Sequence, residues 1–316
     1  MLQFLKNRKL ILSVKYSLGI IIIIFISYNI YINAININYS KLKINYAYIL
    51  FSMSFIIAGQ IIQYSVWQLI TYFVKIKLNF LKTIKIRIYS ELGKYIPGRV
   101  VLYGMLFYFY KQNNVSQKKI AFCSIFESLA TLISAILVFF ISIPFSNLEL
   151  TNIYKIASIS FFVLGLIVIH PKILQFLLNI VLKIFKKEPV IFELSYFKVL
   201  LIVILYSIIW LIFGFSFYFM INSFYSVSLS YYWFLTGAFA FSSFLGFLAF
   251  FVPAGLGVRE GSIIIILSKV MAEPFSGIAS IASRLLIIAG DIIITMIIFL
   301  IDFFSDEPVY KTYFRK

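Results

Sequence analysis

Charged side chains and metal-binding side chains are scarce in this sequence. Only 12% of the 316 residues are charged, and the chain has one histidine, His170, and one cysteine, Cys123. One of each leaves no His/Cys ligand spacing for a metal and no internal disulfide. An Asp-x-Asp pair, a Walker loop and a Gly-x-Ser-x-Gly elbow are also missing. The sequence therefore predicts no metal, no cofactor and no catalytic residue, although a general base at Glu127 or Glu260 stays open.

Long apolar runs make up most of the sequence. The chain is 62% hydrophobic, with a mean hydropathy of +1.01, and runs of about 20 apolar residues match a hydrocarbon core about 30 Å thick. A membrane β-barrel would instead show shorter, alternating segments. We therefore expect an all-α, polytopic membrane helix bundle of seven or eight transmembrane helices, forming one domain over 1–316 with no soluble domain. The expected spans are Tyr16–Ile32, Tyr46–Val74, Ile120–Ile143, Tyr154–Ile169, Val199–Ile221, Tyr231–Val252 and Ile278–Phe304.

The net charge of +17 comes mostly from lysines beside these spans. Lysine-rich loops favour the cytoplasmic side of a membrane and attract anionic lipids, so no nucleic-acid partner is expected. The N-terminal Lys6, Arg8 and Lys9 precede an apolar run without a small-residue cleavage site, which predicts an uncleaved anchor with a cytoplasmic N-terminus. Lys172–Lys187 is expected to form a basic amphipathic helix on the same surface. The densest basic cluster, Lys75, Lys77, Lys82, Lys85 and Arg87, predicts a cytoplasmic loop.

Two segments rich in proline and glycine interrupt the apolar pattern. They lie at Gly93–Val100 and at Pro253–Gly261, and such a break at membrane depth needs burial in protein or a watery cavity. If Ile88–Tyr110 crossed the membrane, the basic loop Lys172–Lys198 would face outward, so a re-entrant hairpin is favoured. For Gly255–Met271 crossing and re-entry both remain open, and so does the side of the C-terminus. Paired breaks in two halves of a chain favour a transporter binding site.

Charged residues in apolar surroundings are the best candidates for substrate contacts. Arg284 and Asp291 are seven residues apart and share a helix face. Arginine suits a phosphate, backbone N–H groups before a helix add an anion site, and carboxylates could hold an amine, hydroxyls or a coupling proton. The alternative is that these charges pair with one another and lock the helices. The candidate binding residues are Lys94, Pro97, Gly98, Arg99, Glu127, Gly255, Gly257, Arg259, Glu260, Arg284 and Asp291.

Three glutamines in the second expected span, Gln60, Gln63 and Gln68, are a further polar feature. They could hydrogen-bond between helices or line a polar path. His170, followed by Pro171, is expected at an interfacial helix end.

The two interrupted segments, in this order, resemble the lysylphosphatidylglycerol synthase transmembrane-region family, also described as flippase-like. The first reads Gly93-Lys94-Tyr95-Ile96-Pro97-Gly98, and the second reads Pro253-Ala254-Gly255-Leu256-Gly257-Val258-Arg259-Glu260-Gly261. Glu127 and Arg284 also match family positions. Ala254 replaces a glycine, Ser128 stands where an arginine often follows the glutamate, and the soluble synthase domain is missing.

This resemblance implies a flippase of the cell membrane rather than an enzyme, although an intramembrane transferase stays open. The implied activity is translocation of a phosphate-bearing lipid from the cytoplasmic to the outer leaflet. The cargo would be aminoacyl-phosphatidylglycerol or a polyprenyl-phosphate-linked sugar. The alternative is a non-transporting membrane subunit that scaffolds a glycosyltransferase in cell-surface glycan assembly.

Overall fold

The computed structural model of the protein describes residues 44–95, 100–184, 194–249 and 255–304. All regular structure in these ranges is helical. The α-helices are α1 Tyr46–Phe73, α2 Phe80–Glu91, α3 Val100–Gln112, α4 Gln117–Phe145, α5 Asn152–Val168, α6 Pro171–Ile184, α7 Tyr196–Asn222, α8 Tyr232–Leu248, α9 Val258–Leu267 and α10 Glu273–Phe303. Short 3₁₀ turns lie at Leu92–Tyr95 and Leu229–Tyr231.

Five helical segments are long and apolar enough to cross a membrane. They are α1, α4, α7, Leu229–Leu248 (the 3₁₀ turn with α8) and α10. The spans expected from the sequence begin and end within a few residues of these five segments. This agreement confirms an all-helical protein with several helices able to cross a membrane. The expected span Tyr154–Ile169 is a shorter apolar helix of 17 residues, α5. The expected span Tyr16–Ile32, the N-terminal basic residues and the C-terminal tail lie outside the described residues.

Asparagine side chains set the starts of α1 and α2. Asn45 Oδ1 accepts the N–H of Ala47, and Asn79 Oδ1 accepts the N–H of Leu81, each at 3.1 Å. Such caps satisfy backbone donors that the first helical turn leaves without partners. α1 ends before Lys75, which has a left-handed φ of 59° and turns the chain toward α2.

Small residues bring the long helices into close contact. On α1 and α7, Ser52 Oγ donates to the Ser216 carbonyl at 2.8 Å, and Ser216 Oγ donates back to the Ser52 carbonyl at 2.9 Å. Between α4 and α8, a Cβ at Gly237 would lie 2.0 Å from Ser142 Oγ. Small and hydroxyl side chains of this kind replace the hydrophobic effect as the source of helix association in a membrane.

The shorter helices complete the bundle around one polar interior. The α2–α3 segment packs against α1, α4 and α10, while α9 packs against α8 and α10. The basic cluster expected as a loop is partly helical instead, because Lys85 and Arg87 lie on α2 and are only 6% and 5% exposed. Lys85 Nζ lies 2.8 Å from Asp302 Oδ1 near the end of α10. The expected amphipathic helix Lys172–Lys187 is present as α6, with its last residues outside the described range.

Candidate functional site

A cavity of about 210 Å³ lies between the two interrupted segments and the long helices. Its wall is formed by residues of α1, α2, the 3₁₀ turn Leu92–Tyr95, α3, α4, α7, α8, α9 and α10. Its depth within the bundle brings charged groups into a mostly apolar protein, which is the usual arrangement of a functional site in a membrane protein. The charged residues that line it are Arg87, Glu91, Lys94, Glu127, Arg259, Arg284 and Asp291.

Five of the predicted binding residues therefore lie in one cavity wall. These are Lys94, Glu127, Arg259, Arg284 and Asp291. Glu260 is buried beside the cavity and binds Arg284, and Gly257 is the N-cap of α9. Pro97, Gly98 and Arg99 lie outside the described residues.

Arg87 is a buried charge on α2, in a segment that was expected to form a cytoplasmic loop. Its guanidinium binds the Glu91 carboxylate one turn along α2, and its Nη2 lies 3.2 and 3.3 Å from the two oxygens of Glu127 on α4. Glu127 also accepts a hydrogen bond from Tyr206 on α7 at 2.9 Å. Arg87 therefore joins α2 to α4 through charge, and Glu127 extends the contact to α7 through a hydrogen bond. The four-residue spacing of Arg87 and Glu91 on an isoleucine-rich helix is the one sequence signal that could have identified it.

Asp291 is the second centre of the polar interior. It accepts Lys94 Nζ at 2.7 Å, Gln60 Nε2 at 2.8 Å and the Tyr95 hydroxyl. Lys94 Nζ also lies 3.2 Å from Glu91 Oε1. Through Glu91 this centre connects to Arg87, so a continuous series of ion pairs runs from α4 to α10.

In the second interrupted segment, the backbone at Gly255 packs directly against the backbone of α8 at Gly246. Gly255 has a φ of +67°, and a Cβ at this position would lie 2.4 Å from the Gly246 carbonyl oxygen on α8. Only glycine fits both the left-handed φ and the close approach. This contact places the start of α9 against α8, where Arg259 lines the cavity.

The start of α9 already carries a negative charge of its own. Glu260 Oε2 accepts the N–H of Gly257 at 2.6 Å, and Glu260 Oε1 binds Arg284 of α10. The backbone donor expected to bind a substrate anion at Gly257 is thus engaged by Glu260. Glu260 stabilises the helix start, because a carboxylate in the first turn opposes the positive end of the helix dipole.

Arg259 differs from the other cavity cations. It is 8% exposed, forms no salt bridge with a described residue, and has no hydrogen-bond partner there for Nε and Nη2. Its guanidinium lies 4.8 Å from the centroid of the Phe239 ring. A buried charge without an anionic partner is costly, so this position calls for an anion from outside the described chain.

The structure also shows where the glutamines of α1 and His170 lie. Gln60 and Gln63 line the cavity, whereas Gln68 does not. His170 is exposed at the start of α6, where its Nδ1 accepts the Lys172 N–H at 3.3 Å. No group of three or more His, Cys, Asp or Glu residues among those that the structure describes could hold a metal ion.

No protein-family model matches this sequence, and no curated protein matches it. The resemblance to the lysylphosphatidylglycerol synthase transmembrane region therefore remains a prediction from the two motifs.

Proposed function

We propose that this protein translocates a phosphate-bearing lipid across the cell membrane, from the cytoplasmic to the outer leaflet, and that its N-terminus is cytoplasmic. The headgroup would enter the cavity, and Arg259 would bind the phosphate. The observation that carries this proposal is a buried guanidinium without an anionic partner among the described residues, in a cavity lined by helices long and apolar enough to cross a membrane.

The free donors of Arg259 suit a phosphate in their geometry. Nε and Nη2 form one edge of the planar guanidinium, and both lack a partner among the described residues. An edge with two parallel N–H donors binds two oxygens of a phosphate at once. Arg259 lines the cavity beside Phe239, but neighbouring protein atoms cover Nε and Nη2, so a phosphate would reach this edge by displacing the atoms that cover it.

The two interrupted segments would be re-entrant in this proposal. α2 has 12 residues and α9 has 10, so they extend about 18 and 15 Å, half of a hydrocarbon core about 30 Å thick. With both segments re-entrant, the five long helices, the expected span Tyr16–Ile32 and α5 would make seven membrane helices, and a crossing at Gly255–Met271 would make eight. Half-helices that meet at a central site are typical of transporters.

The other charged residues would act around this phosphate contact. Lys94 is bound by Asp291 and Glu91, and Arg284 is bound by Glu260. We assign these pairs to holding both segments in place while Arg259 takes the phosphate. Both cargo classes named above, aminoacyl-phosphatidylglycerol and a polyprenyl-phosphate-linked sugar, contain the phosphodiester that this contact requires.

Leaflet-resolved transport in vesicles that contain only this protein tests the proposal. Fluorescent phosphatidylglycerol, lysyl-phosphatidylglycerol and a short polyprenyl-phosphate sugar would be compared with protein-free vesicles. We expect protein-dependent movement of at least one of them. Movement of none, together with co-purification of a glycosyltransferase, would contradict the proposal and support the scaffolding subunit instead.

A further inference from the structure

Gln60 presents an unused oxygen inside the cavity. Its Nε2 donates to Asp291 Oδ1 at 2.8 Å and to the Ile287 carbonyl at 3.4 Å. Both partners are acceptors, so the NH₂ group must face them and the amide orientation is fixed. Gln60 Oε1 is left without a hydrogen-bond partner among the described residues, although the side chain is only 4% exposed.

Gly290 has no side chain and so leaves the space that this oxygen occupies. A Cβ at Gly290 would lie 2.6 Å from Gln60 Oε1 and 2.5 Å from Ile56 Cγ2. Any larger residue would therefore displace the amide. The buried acceptor costs free energy unless something donates to it, and because Gln60 lines the cavity, a ligand hydroxyl that displaces the atoms covering Oε1 would supply that donor.

Gln63 and Ser243 add two more neutral polar groups to the wall. Both line the cavity, and neither side chain hydrogen-bonds to a residue that the structure describes. Gln63 follows Gln60 by three residues, so the two amides share a face of α1. The cavity thus offers several unused amide and hydroxyl groups.

The carboxylates of the cavity, in contrast, are fully engaged. Glu91 binds Arg87 through one oxygen and Lys94 through the other. Both oxygens of Glu127 contact Arg87, and both oxygens of Asp291 have donors, with Gln60 on Oδ1 and Lys94 on Oδ2. An ammonium group from a ligand would have to share these oxygens with the cations that already bind them.

We propose that the cavity selects a lipid whose headgroup is an uncharged polyol joined through a phosphodiester. The phosphate would bind the free edge of Arg259, and hydroxyl groups would donate to Gln60 Oε1 and exchange hydrogen bonds with Gln63 and Ser243. This inference rests on the proposed function and chooses between its cargo classes, because it disfavours an amine-bearing headgroup. A sugar phosphodiester on a polyprenol and the glycerol of phosphatidylglycerol share this chemistry.

Initial transport rates of three lipids in vesicles test the selection. The lipids are phosphatidylglycerol, lysyl-phosphatidylglycerol and a hexosyl-phosphoryl short-chain polyprenol. We expect one or both polyol lipids to move about tenfold faster than the lysyl lipid, since the carboxylates that would bind its amine are already paired with cations. The polyol lipid that moves faster shows whether the preferred headgroup is the polyprenyl-linked sugar or the glycerol of phosphatidylglycerol. Faster movement of the lysyl lipid than of both others would overturn the inference.

Glutamine variants on α1 give the test its internal control. Gln63→Leu should slow the polyol lipids about fivefold through lost hydrogen bonds. Gln68→Leu, on the same helix but outside the cavity wall, should leave the rates unchanged. Gln60→Leu removes the acceptor and also frees Asp291 Oδ1, so it should shift selectivity toward the lysyl lipid. Equal rates for Gln63→Leu and Gln68→Leu would overturn the inference.

Binding in detergent separates this inference from the proposed function. If none of the lipids moves in vesicles, transport itself fails, and the same three lipids are then compared by competition binding to the purified full chain. Tighter binding of the polyol lipids that weakens in Gln63→Leu would support the inference alone. Equal binding, preference for the lysyl lipid, or no binding would overturn it.

Discussion

Lys94 Nζ lies 2.7 Å from Asp291 Oδ2, so the 3₁₀ turn after α2 is joined by charge to the middle of α10. A second buried pair, Lys85 with Asp302, joins α2 to the end of the same helix. The α2–α3 segment is thus attached to the last long helix at two points. Ion pairs in a low-dielectric interior stabilise such a contact only while both partners are present.

Loss of the Asp291 carboxylate should therefore destabilise the protein. Asp291→Asn leaves the half-buried Lys94 with only Glu91 as a counter-charge, and we expect a loss of about 3 kcal/mol in the free energy of unfolding. Reversible unfolding in mixed detergent micelles measures this quantity. Glu149→Gln, at an exposed carboxylate, should stay within about 0.5 kcal/mol of the parent protein. Equal stabilities of the two variants would contradict the role given to Asp291.

Removal of the Arg87 charge should have a comparable effect. Arg87→Gln leaves the buried Glu91 and Glu127 without their shared cation, so we expect a loss of about 3 kcal/mol or more. Lys77→Gln removes an exposed charge from the same basic cluster and should change stability by about 0.5 kcal/mol at most. The same unfolding assay compares the two variants. An Arg87→Gln variant with unchanged stability would mean that Arg87 serves only to set the topology in the membrane.

Two glycines of the second interrupted segment should respond to alanine in opposite ways. At Gly255 the new Cβ would meet the Gly246 carbonyl at 2.4 Å with a left-handed φ of +67°, which predicts a loss of about 2 kcal/mol or more. At Gly261, inside α9, nothing lies within 4 Å of the new Cβ, and alanine should stabilise the helix by about 0.5 to 1 kcal/mol. Thermal unfolding of both variants in detergent measures the difference. A Gly255→Ala variant as stable as Gly261→Ala would show that the contact with α8 is not maintained.

The long helices could be predicted from the sequence because membrane spans are encoded locally. The expected span Tyr46–Val74 is observed as Tyr46–Phe73, and Val199–Ile221 is observed within Tyr196–Asn222. A continuous apolar run of this length has few alternatives in a protein. The placement of Arg284 and Asp291 on one cavity wall also followed from their spacing of two helical turns.

The pairing of the charges could not be predicted, because it depends on contacts between distant parts of the chain. Arg87 lies in a run of lysines that has the composition of a loop, yet its partner Glu127 is on another helix. Lys94 and Asp291 were both expected to face substrate, and the structure shows that they bind each other. No local pattern distinguishes Arg259, which lacks such a partner among the described residues, from Arg284, which has one.

The most direct test of lipid translocation is the transport rate of Arg259→Gln beside that of Lys269→Gln in vesicles containing only the purified protein. Lys269 is an exposed cation ten residues further along the chain, so its loss controls for a change in net charge. With a fluorescent phosphodiester lipid, we predict that Lys269→Gln moves lipid at the parent rate. Arg259→Gln should be slower by about tenfold or more, as expected for the loss of hydrogen bonds to a charged group. Equal rates for the two variants, with both proteins folded and inserted, would contradict the phosphate contact at Arg259.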